Sequence, residues 1–238
     1  MSYRTMFPKR HTFLAVVHVQ DYDQAVRNVR IAITEGADGV FLIGHAKSPT
    51  ALWLDYQVVR REFPDTWIGL NWLRYFNQEA IANMCPSMNG LWTDHAVVYE
   101  DADRTALHKI VFNIKREEWE RSWRSSFLFF GGVAFKYQEP VEDPAGLAKI
   151  ATRYVDVVTT SGDGTGIAPD VEKLRVMKGA IGDHPLANAS GTTVENISSM
   201  KPFVDCFLVS TGISRKDEGF PDELDPRLVS QLAEVLAT

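Results

Sequence analysis

The stretch TFLAVVHVQDYDQAVRNVRIAITEGADGVFLIGH, residues 12–45, decides the fold. It opens on a short apolar run, Thr12 to Val19, and closes on another, Gly39 to His45. Between them Ala25, Val29, Ala32 and Ile33 recur at the spacing of one helical face, and Gly36 supplies a stop. Strand, returning helix and second strand make a parallel β/α unit, because only a crossover carries the chain back to the edge where it began.

The alternation continues outward from this unit. Further short apolar runs are WIGLNWL from Trp67, GLWTDHA from Gly90, GGVAFKYQ from Gly131, VDVVTTSG from Val155, HPLANASG from His184 and VDCFLVSTG from Val204, which brings the strands to eight. The intervening segments carry helix punctuation. Ser48 reads as an N-cap with Pro49 in the first turn and Pro64 past the end, and the Asp-Pro pairs at Asp143 and Asp225 read as caps rather than catalysts. The charged segment 101–123 reads as a longer helix, with Trp119 and Trp123, four apart, in the core or else at an oligomer contact, the core being the first choice. Eight such units with no low-complexity linker predict one (β/α)8 TIM barrel spanning residues 1–238. A doubly wound open sheet is the alternative, but its early G-x-G-x-x-G turn is missing.

Composition agrees with one large soluble domain. The chain has 238 residues, 45% of them hydrophobic and 24% charged, inside the size range usual for such barrels. A net charge of −6 with no concentrated basic patch argues against nucleic acid as a partner. Cys85 and Cys206 have neither disulfide-framework nor zinc spacing and are expected to be reduced thiols in a cytoplasmic protein. The apolar run from Phe13 to Val19 is too short for a signal peptide, and no run reaches the length of a membrane span. Barrels commonly self-associate, so a homo-oligomer is expected.

Chemistry in such a barrel belongs at the C-terminal ends of its strands. Those ends carry His18, His45, Asn71, Asp94, His95, Lys136, Asp163, Thr165, Asn188 and Ser190. Each is either a satisfied structural group or part of a site. The turn TSGDGTG, residues 160–166, puts Gly162, Gly164 and Gly166 around Asp163 and Thr165, and glycines there allow close main-chain approach to a ligand. After strands seven and eight come SGTTVEN from Ser190 and STGISR from Ser210. These are the two positions where barrels bind phosphate through backbone N–H groups and a short helix. Asn71, Thr165, Gly166, Ser190, Gly191, Thr192, Thr211, Gly212 and Arg215 are accordingly the candidate phosphate and substrate ligands.

The catalytic candidates are Lys136, Asp94, Asp163 and His18. Lys136 reads as electrophile or Schiff-base former, or else as the ion-pair partner of Asp94 or Asp163. The two carboxylates suit acid or base work, and His18 is either a general acid or base or a satisfied core imidazole. His18, His45, Asp94 and His95 are residue types that a divalent ion takes, but no local ligand motif joins them; no metal site and no cofactor are expected.

The last third of the chain resembles the BtpA family. The residues that carry the resemblance are TSGDGTG, then APDVEKLRVMKGAIGDHPLANASGTTVENI at 168–197, then VDCFLVSTGISRKDEGFPDELDPRLV at 204–229. Thinner matches lie upstream in VVHV with His18, in IGLNWLR with Asn71 and Arg74, and at Lys136. The chain departs from the family in the QDYDQA loop after strand one, in GHAKSPT after strand two, and at Tyr137, where members have histidine. The resemblance implies a ribulose-phosphate-binding type of TIM barrel without fixing a reaction, since members are labelled both as photosystem I assembly factors and as sugar-phosphate or nucleotide enzymes. Two functions follow as expectations. One is a lyase, transferase or hydrolase acting on a phosphorylated small molecule, a sugar phosphate or a nucleotide; the other is a non-catalytic binding or assembly factor that keeps the barrel.

Overall fold

A computed structural model describes residues 2–45, 47–73, 80, 87–96, 98–99, 127–215 and 222–238. Arg74, Cys85, Trp119, Trp123 and Lys216 lie outside the described residues. Eight parallel strands close on themselves in sequence order: β1 (Thr12–His18), β2 (Gly39–Ile43), β3 (Ile68–Asn71), β4 (Gly90–Thr93), β5 (Leu128–Gly132), β6 (Val157–Thr160), β7 (Leu186–Asn188) and β8 (Cys206–Val209). This is the (β/α)8 barrel. The helices among the described residues are α1 (Tyr3–Met6), α2 (Tyr22–Thr34), α3 (Pro49–Glu62), α4 (Pro144–Ala151), α5 (Val171–Ile181), α6 (Ile197–Met200) and α7 (Pro226–Ala237). Caps form where the residue types place them: Ser48, Asp143 and Asp225 each accept a backbone N–H in the first turn of their helices. None of these helices is long and apolar enough to cross a membrane.

The strands are buried on both faces, and alternate residues sort into two cores. Val17, Leu42, Leu70, Leu91, Val158 and Val209 pack outward with the helices, and Tyr56, Leu52, Val29 and Val229 belong to the same cluster. Leu14, Val16, Phe41, Ile43, Trp92, Phe130 and Leu208 fill the barrel. Phe41 sits edge-to-face against Trp67, Trp92 and Phe130 at 5.1–5.7 Å between ring centroids, which plugs the interior with aromatic rings. It fits because strand three has no side chain at Gly69, where a Cβ would lie 2.2 Å from the Phe41 ring. At the N-terminal end, the Phe7 ring that follows α1 packs on Trp67, and the Tyr3 hydroxyl donates to Thr12 and to the Asp205 carbonyl.

A repeated brace sets the register of the strands in pairs. Asp38, Asn89, Asp156 and Asp205 each stand one residue before an even-numbered strand. Each donates its backbone N–H to a carbonyl at the start of the preceding strand and accepts an N–H from that same strand end with its side chain. The partners are Phe13 in β1, Ile68 in β3, Phe129 in β5 and Leu186 in β7. These carboxylates and this amide therefore hold the bottom of the barrel and leave the chemistry to the opposite end.

One strand differs from its sequence reading. GGVAFKYQ was expected to be strand five, whereas β5 runs from Leu128 to Gly132. The apolar stretch is continuous through both, so periodicity does not fix its start. Gly131 and Gly132 end the strand because their bare α-carbons face Ala96 and the Asp94 carbonyl at distances no Cβ tolerates. Lys136 and Tyr137 consequently stand on the loop past the strand, not within it.

Candidate active site

A cavity of about 270 Å³ opens at the C-terminal mouth. Of the thirteen residues proposed from sequence, ten line it: His18, Asp94, Lys136, Thr165, Gly166, Ser190, Gly191, Thr192, Thr211 and Gly212. Its floor is apolar, made by Val16, Ile43, Trp92, Ala189 and Leu208. Asn71 lies just behind the wall, buried, with its side-chain amide donating to Asp94 Oδ1 at 3.0 Å. The other two go elsewhere. Asp163 is exposed and outside the lining, and its charge acts on Lys173. Arg215 is exposed, outside the lining too, and tied by its backbone N–H to the Glu223 carbonyl. On these loops it is Thr165, Gly166, Thr211 and Gly212 that line the cavity, while Asp163 and Arg215 stay exposed.

The turns after β6, β7 and β8 are packed into one another. Gly191 has φ +64°, and a Cβ there would lie 2.0 Å from the Ala168 nitrogen and 2.3 Å from the Ile167 carbonyl carbon. A Cβ on Gly212 would lie 2.0 Å from the Thr192 carbonyl oxygen. The Ser190 hydroxyl donates to the Gly164 carbonyl at 2.8 Å, and Asn196 fastens the turn by donating to the Gly191 carbonyl. A short 3₁₀ turn, Thr211–Ile213, follows β8 with no side-chain cap. Among the described residues, the backbone N–H groups of Gly191, Thr192 and Gly212 donate to no protein acceptor. Three unspent donors therefore stand at the rim of one cavity, Gly212 among them within the 3₁₀ turn that follows β8.

Across the mouth stand the titratable groups. Burial pushes the Asp94 carboxyl above the usual carboxylate range, against the opposing pull of the Asn71 hydrogen bond and of the Lys136 and His45 charges. Burial pulls the His18 imidazole below its ordinary value and His45 lowers it further, with ring centroids 4.8 Å apart. Asp222 opposes that shift from 3.3 Å on His18 Nδ1. Lys136 is half-buried; its ammonium forms no salt bridge with Asp94 or Asp163 and donates to Thr165 Oγ1 at 3.4 Å. Its charge nevertheless acts on Asp94.

Sequence reading named His45 among the polar strand ends and the residue types a divalent ion takes, without giving it a catalytic or binding role, and it missed Asp222. Asp222 lies 204 residues from His18 in sequence, and only barrel closure between β8 and β1 brings the two together. His18, His45, Asp94 and His95 do not assemble as ligands: among the described residues no three His, Cys, Asp or Glu side chains could hold a metal ion.

No protein-family model matches the chain, so the BtpA resemblance gains no support from that comparison. No curated protein matches it either. Solved structures do. (S)-3-O-geranylgeranylglyceryl phosphate synthase from Thermoplasma acidophilum, in complex with its substrate sn-glycerol-1-phosphate, is 12% identical with TM-score 0.65, covering 100% of this chain and 99% of that one. Phosphoribosylanthranilate isomerase from Thermotoga maritima is 16% identical with TM-score 0.62, covering 95% and 98%. The 2-keto-3-deoxy-6-phospho-gluconate aldolase of Zymomonas mobilis is 11% identical with TM-score 0.60, covering 100% and 97%. At these identities the likeness is one of fold, shared with barrels whose names carry phosphorylated substrates.

Proposed function

We propose that this protein is an enzyme acting on a phosphorylated small molecule at the C-terminal mouth of its barrel. The observation that carries the reading is the cradle: the free N–H groups of Gly191, Thr192 and Gly212 surround the same cavity that His18, Asp94 and Lys136 enter. The phosphate would take the cradle, with the Thr192 and Thr211 hydroxyls beside it. The reacting end would then lie over the apolar floor against Asp94 and Lys136. Asp94 and His18 are pushed in opposite directions, the carboxyl up and the imidazole down. Shifts in these directions favour the carboxyl as the acid and the imidazole as the base of the pair. Lys136 would stabilise negative charge developing on the substrate, or attack a carbonyl as an amine.

The test is binding of inorganic phosphate and of sn-glycerol-1-phosphate, read by thermal shift, to wild type and Thr211→Glu. Thr211 is exposed, so the variant folds and places a carboxylate beside the cradle. A ligand at about a hundred times its dissociation constant stabilises by roughly 2.7 kcal/mol. Stabilisation in wild type that disappears in Thr211→Glu is the expected result; equal stabilisation of both proteins puts the phosphate somewhere else.

A further inference from the structure

His18 lines the mouth cavity, whereas Asp222, which faces its Nδ1 at 3.3 Å, does not. We propose that Asp222 is a positioning residue: its carboxylate holds the His18 imidazole with the proton on Nδ1, which leaves the Nε2 lone pair for a substrate proton at the mouth. A neutral imidazole carries its proton on one nitrogen and accepts at the other, so an acceptor beside one nitrogen decides which of them is free. This rests on the enzymatic reading of the mouth and deepens it, by naming the group that orients its base.

The carboxylate is held in place by the start of α2 and the segment before it. Gln20 donates its side-chain amide to Asp222 Oδ2 at 2.7 Å, which leaves Oδ1 for the imidazole. The Asp222 carbonyl accepts from the Gln24 amide at 3.0 Å and from the Asn28 amide at 2.7 Å. Gln24 spends its second amide hydrogen on the His18 carbonyl at 3.0 Å, so one side chain ties both members of the pair by their backbones. Gln24 and Asn28 are four residues apart in α2, buried on the face that Ala25, Val29 and Ala32 otherwise fill. Burying two amides there costs free energy unless each finds partners. Both do: Gln24 Oε1 accepts the Gln20 N–H and Asn28 Oδ1 accepts the Leu224 N–H. The pair therefore rests on a dedicated, fully bonded support.

The same segment is joined to the turn that follows β8. Ser214 and Leu224 form an antiparallel bridge, the Arg215 N–H donates to the Glu223 carbonyl, and the Asp225 N–H donates to the Ile213 carbonyl. Gly212, one of the three free donors at the mouth, lies two residues before Ser214. The base and the phosphate donors thus share one hydrogen-bonded frame. Among the described residues no protein group bonds His18 Nε2, the nitrogen that the carboxylate leaves free. The charged or titratable groups facing the ring are His45 just past β2, Lys136 on the loop after β5, and Asp222; of these Asp222 alone favours the imidazolium. It therefore steadies the cation that forms when His18 takes a proton, against two neighbours that oppose it. The 3.3 Å separation is longer than a bond between ionised partners, as suits a ring that is neutral before substrate arrives.

The experiment is a long-range ¹H–¹⁵N spectrum of the histidine side chains in ligand-free protein above the His18 midpoint, with His18→Gln identifying the His18 signals among those of the six histidines. Wild type is expected to show a protonated Nδ1 and an unprotonated Nε2. Asp222→Leu removes the acceptor and keeps the backbone carbonyl that Gln24 and Asn28 hold. It should move the proton to Nε2, the tautomer that free imidazole side chains prefer, and lower the His18 midpoint by about 1 pH unit. A merely structural Asp222 would move neither. An Nε2–H tautomer in wild type, or an unchanged tautomer and midpoint in Asp222→Leu, overturns the inference, and the wild-type spectrum decides by itself should the variant not fold. Inorganic phosphate added to the same wild-type sample separates this inference from the reading it rests on. No binding removes the mouth reading and, with it, the base that Asp222 would position, whereas phosphate binding by a protein whose His18 is protonated at Nε2 removes the Asp222 role alone.

Discussion

Adding one methyl group to Gly191 tests whether the phosphate cradle is built as described. In Gly191→Ala the new Cβ would meet the Ala168 nitrogen at 2.0 Å and the Ile167 carbonyl carbon at 2.3 Å, and both are backbone atoms that no rotamer change removes. The φ of +64° adds the left-handed penalty, about 1–2 kcal/mol for a residue with a Cβ. Overpacking of a close-packed site adds about 1–3 kcal/mol. Together the cost is about 2–5 kcal/mol, which for a chain of this length corresponds to a fall in Tm of about 4–20 °C. Urea unfolding followed by circular dichroism measures it as a drop in midpoint with unchanged slope. The internal control is Gly179→Ala, inside α5, where nothing lies within 4 Å of the added Cβ and a helical alanine should gain about 0.5–1 kcal/mol. A Gly191→Ala protein within about 0.5 kcal/mol of wild type would refute the close interlock of the β6 and β7 turns, since a surface substitution away from such features does no more than that.

Other consequences follow from the same geometry. The raised Asp94 carboxyl makes the folded protein hold a proton that the unfolded chain releases, so its contribution to stability falls as pH rises from the unfolded value through the raised one; Asp94→Asn should be the more stable protein at pH 7, with the difference vanishing in acid, as read by paired urea titrations from pH 3 to 8. For His18 the sign is reversed: its folded pKa is lowered, so stability tied to it is present above the ordinary histidine value and is lost as pH falls towards the lowered one. In NMR titrations Asp222→Asn should lower the His18 midpoint further and His45→Gln should raise it, and movement in the same direction for both would contradict the assigned contacts. Removing the Asp156 brace by Asp156→Ala leaves the Phe129 N–H without its side-chain acceptor and should cost about 1–3 kcal/mol by thermal unfolding, most of it restored by Asp156→Asn.

Much of this architecture is legible in the sequence because each β/α unit repeats its punctuation. Ser48, Asp143 and Asp225 cap helices as their residue types require, and seven of the eight strands fall inside the segments read for them. The eighth was misplaced by three residues because an unbroken apolar run has no internal mark, and the two glycines read as its start are its end. The brace residues Asp38, Asn89, Asp156 and Asp205 stand in the sequence as a polar residue before an apolar run, yet their meaning depends on a partner strand that pattern reading does not supply.

At the site, residues named for their place at strand ends converge on one cavity because barrel geometry brings every strand end to the same mouth. What the sequence leaves out is direction. Asp163 and Thr165 are two residues apart on one turn, and only the backbone path of that turn sends the threonine inward and the carboxylate out. Long-range pairs such as His18 with Asp222 carry no local signal at all. The positive-φ residues Ala134 and Tyr137 are equally silent, because neither is of a type that left-handed backbone favours.

The most direct test of the central claim is an amide ¹H–¹⁵N spectrum of the protein titrated with inorganic phosphate. The account predicts saturable shifts concentrated on the amides of Gly166, Gly191, Thr192, Thr211 and Gly212, with the N–H signals of Gly191, Thr192 and Gly212 moving downfield as they acquire an acceptor. Shifts absent from these amides, or concentrated at the braced N-terminal end of the barrel, would contradict it.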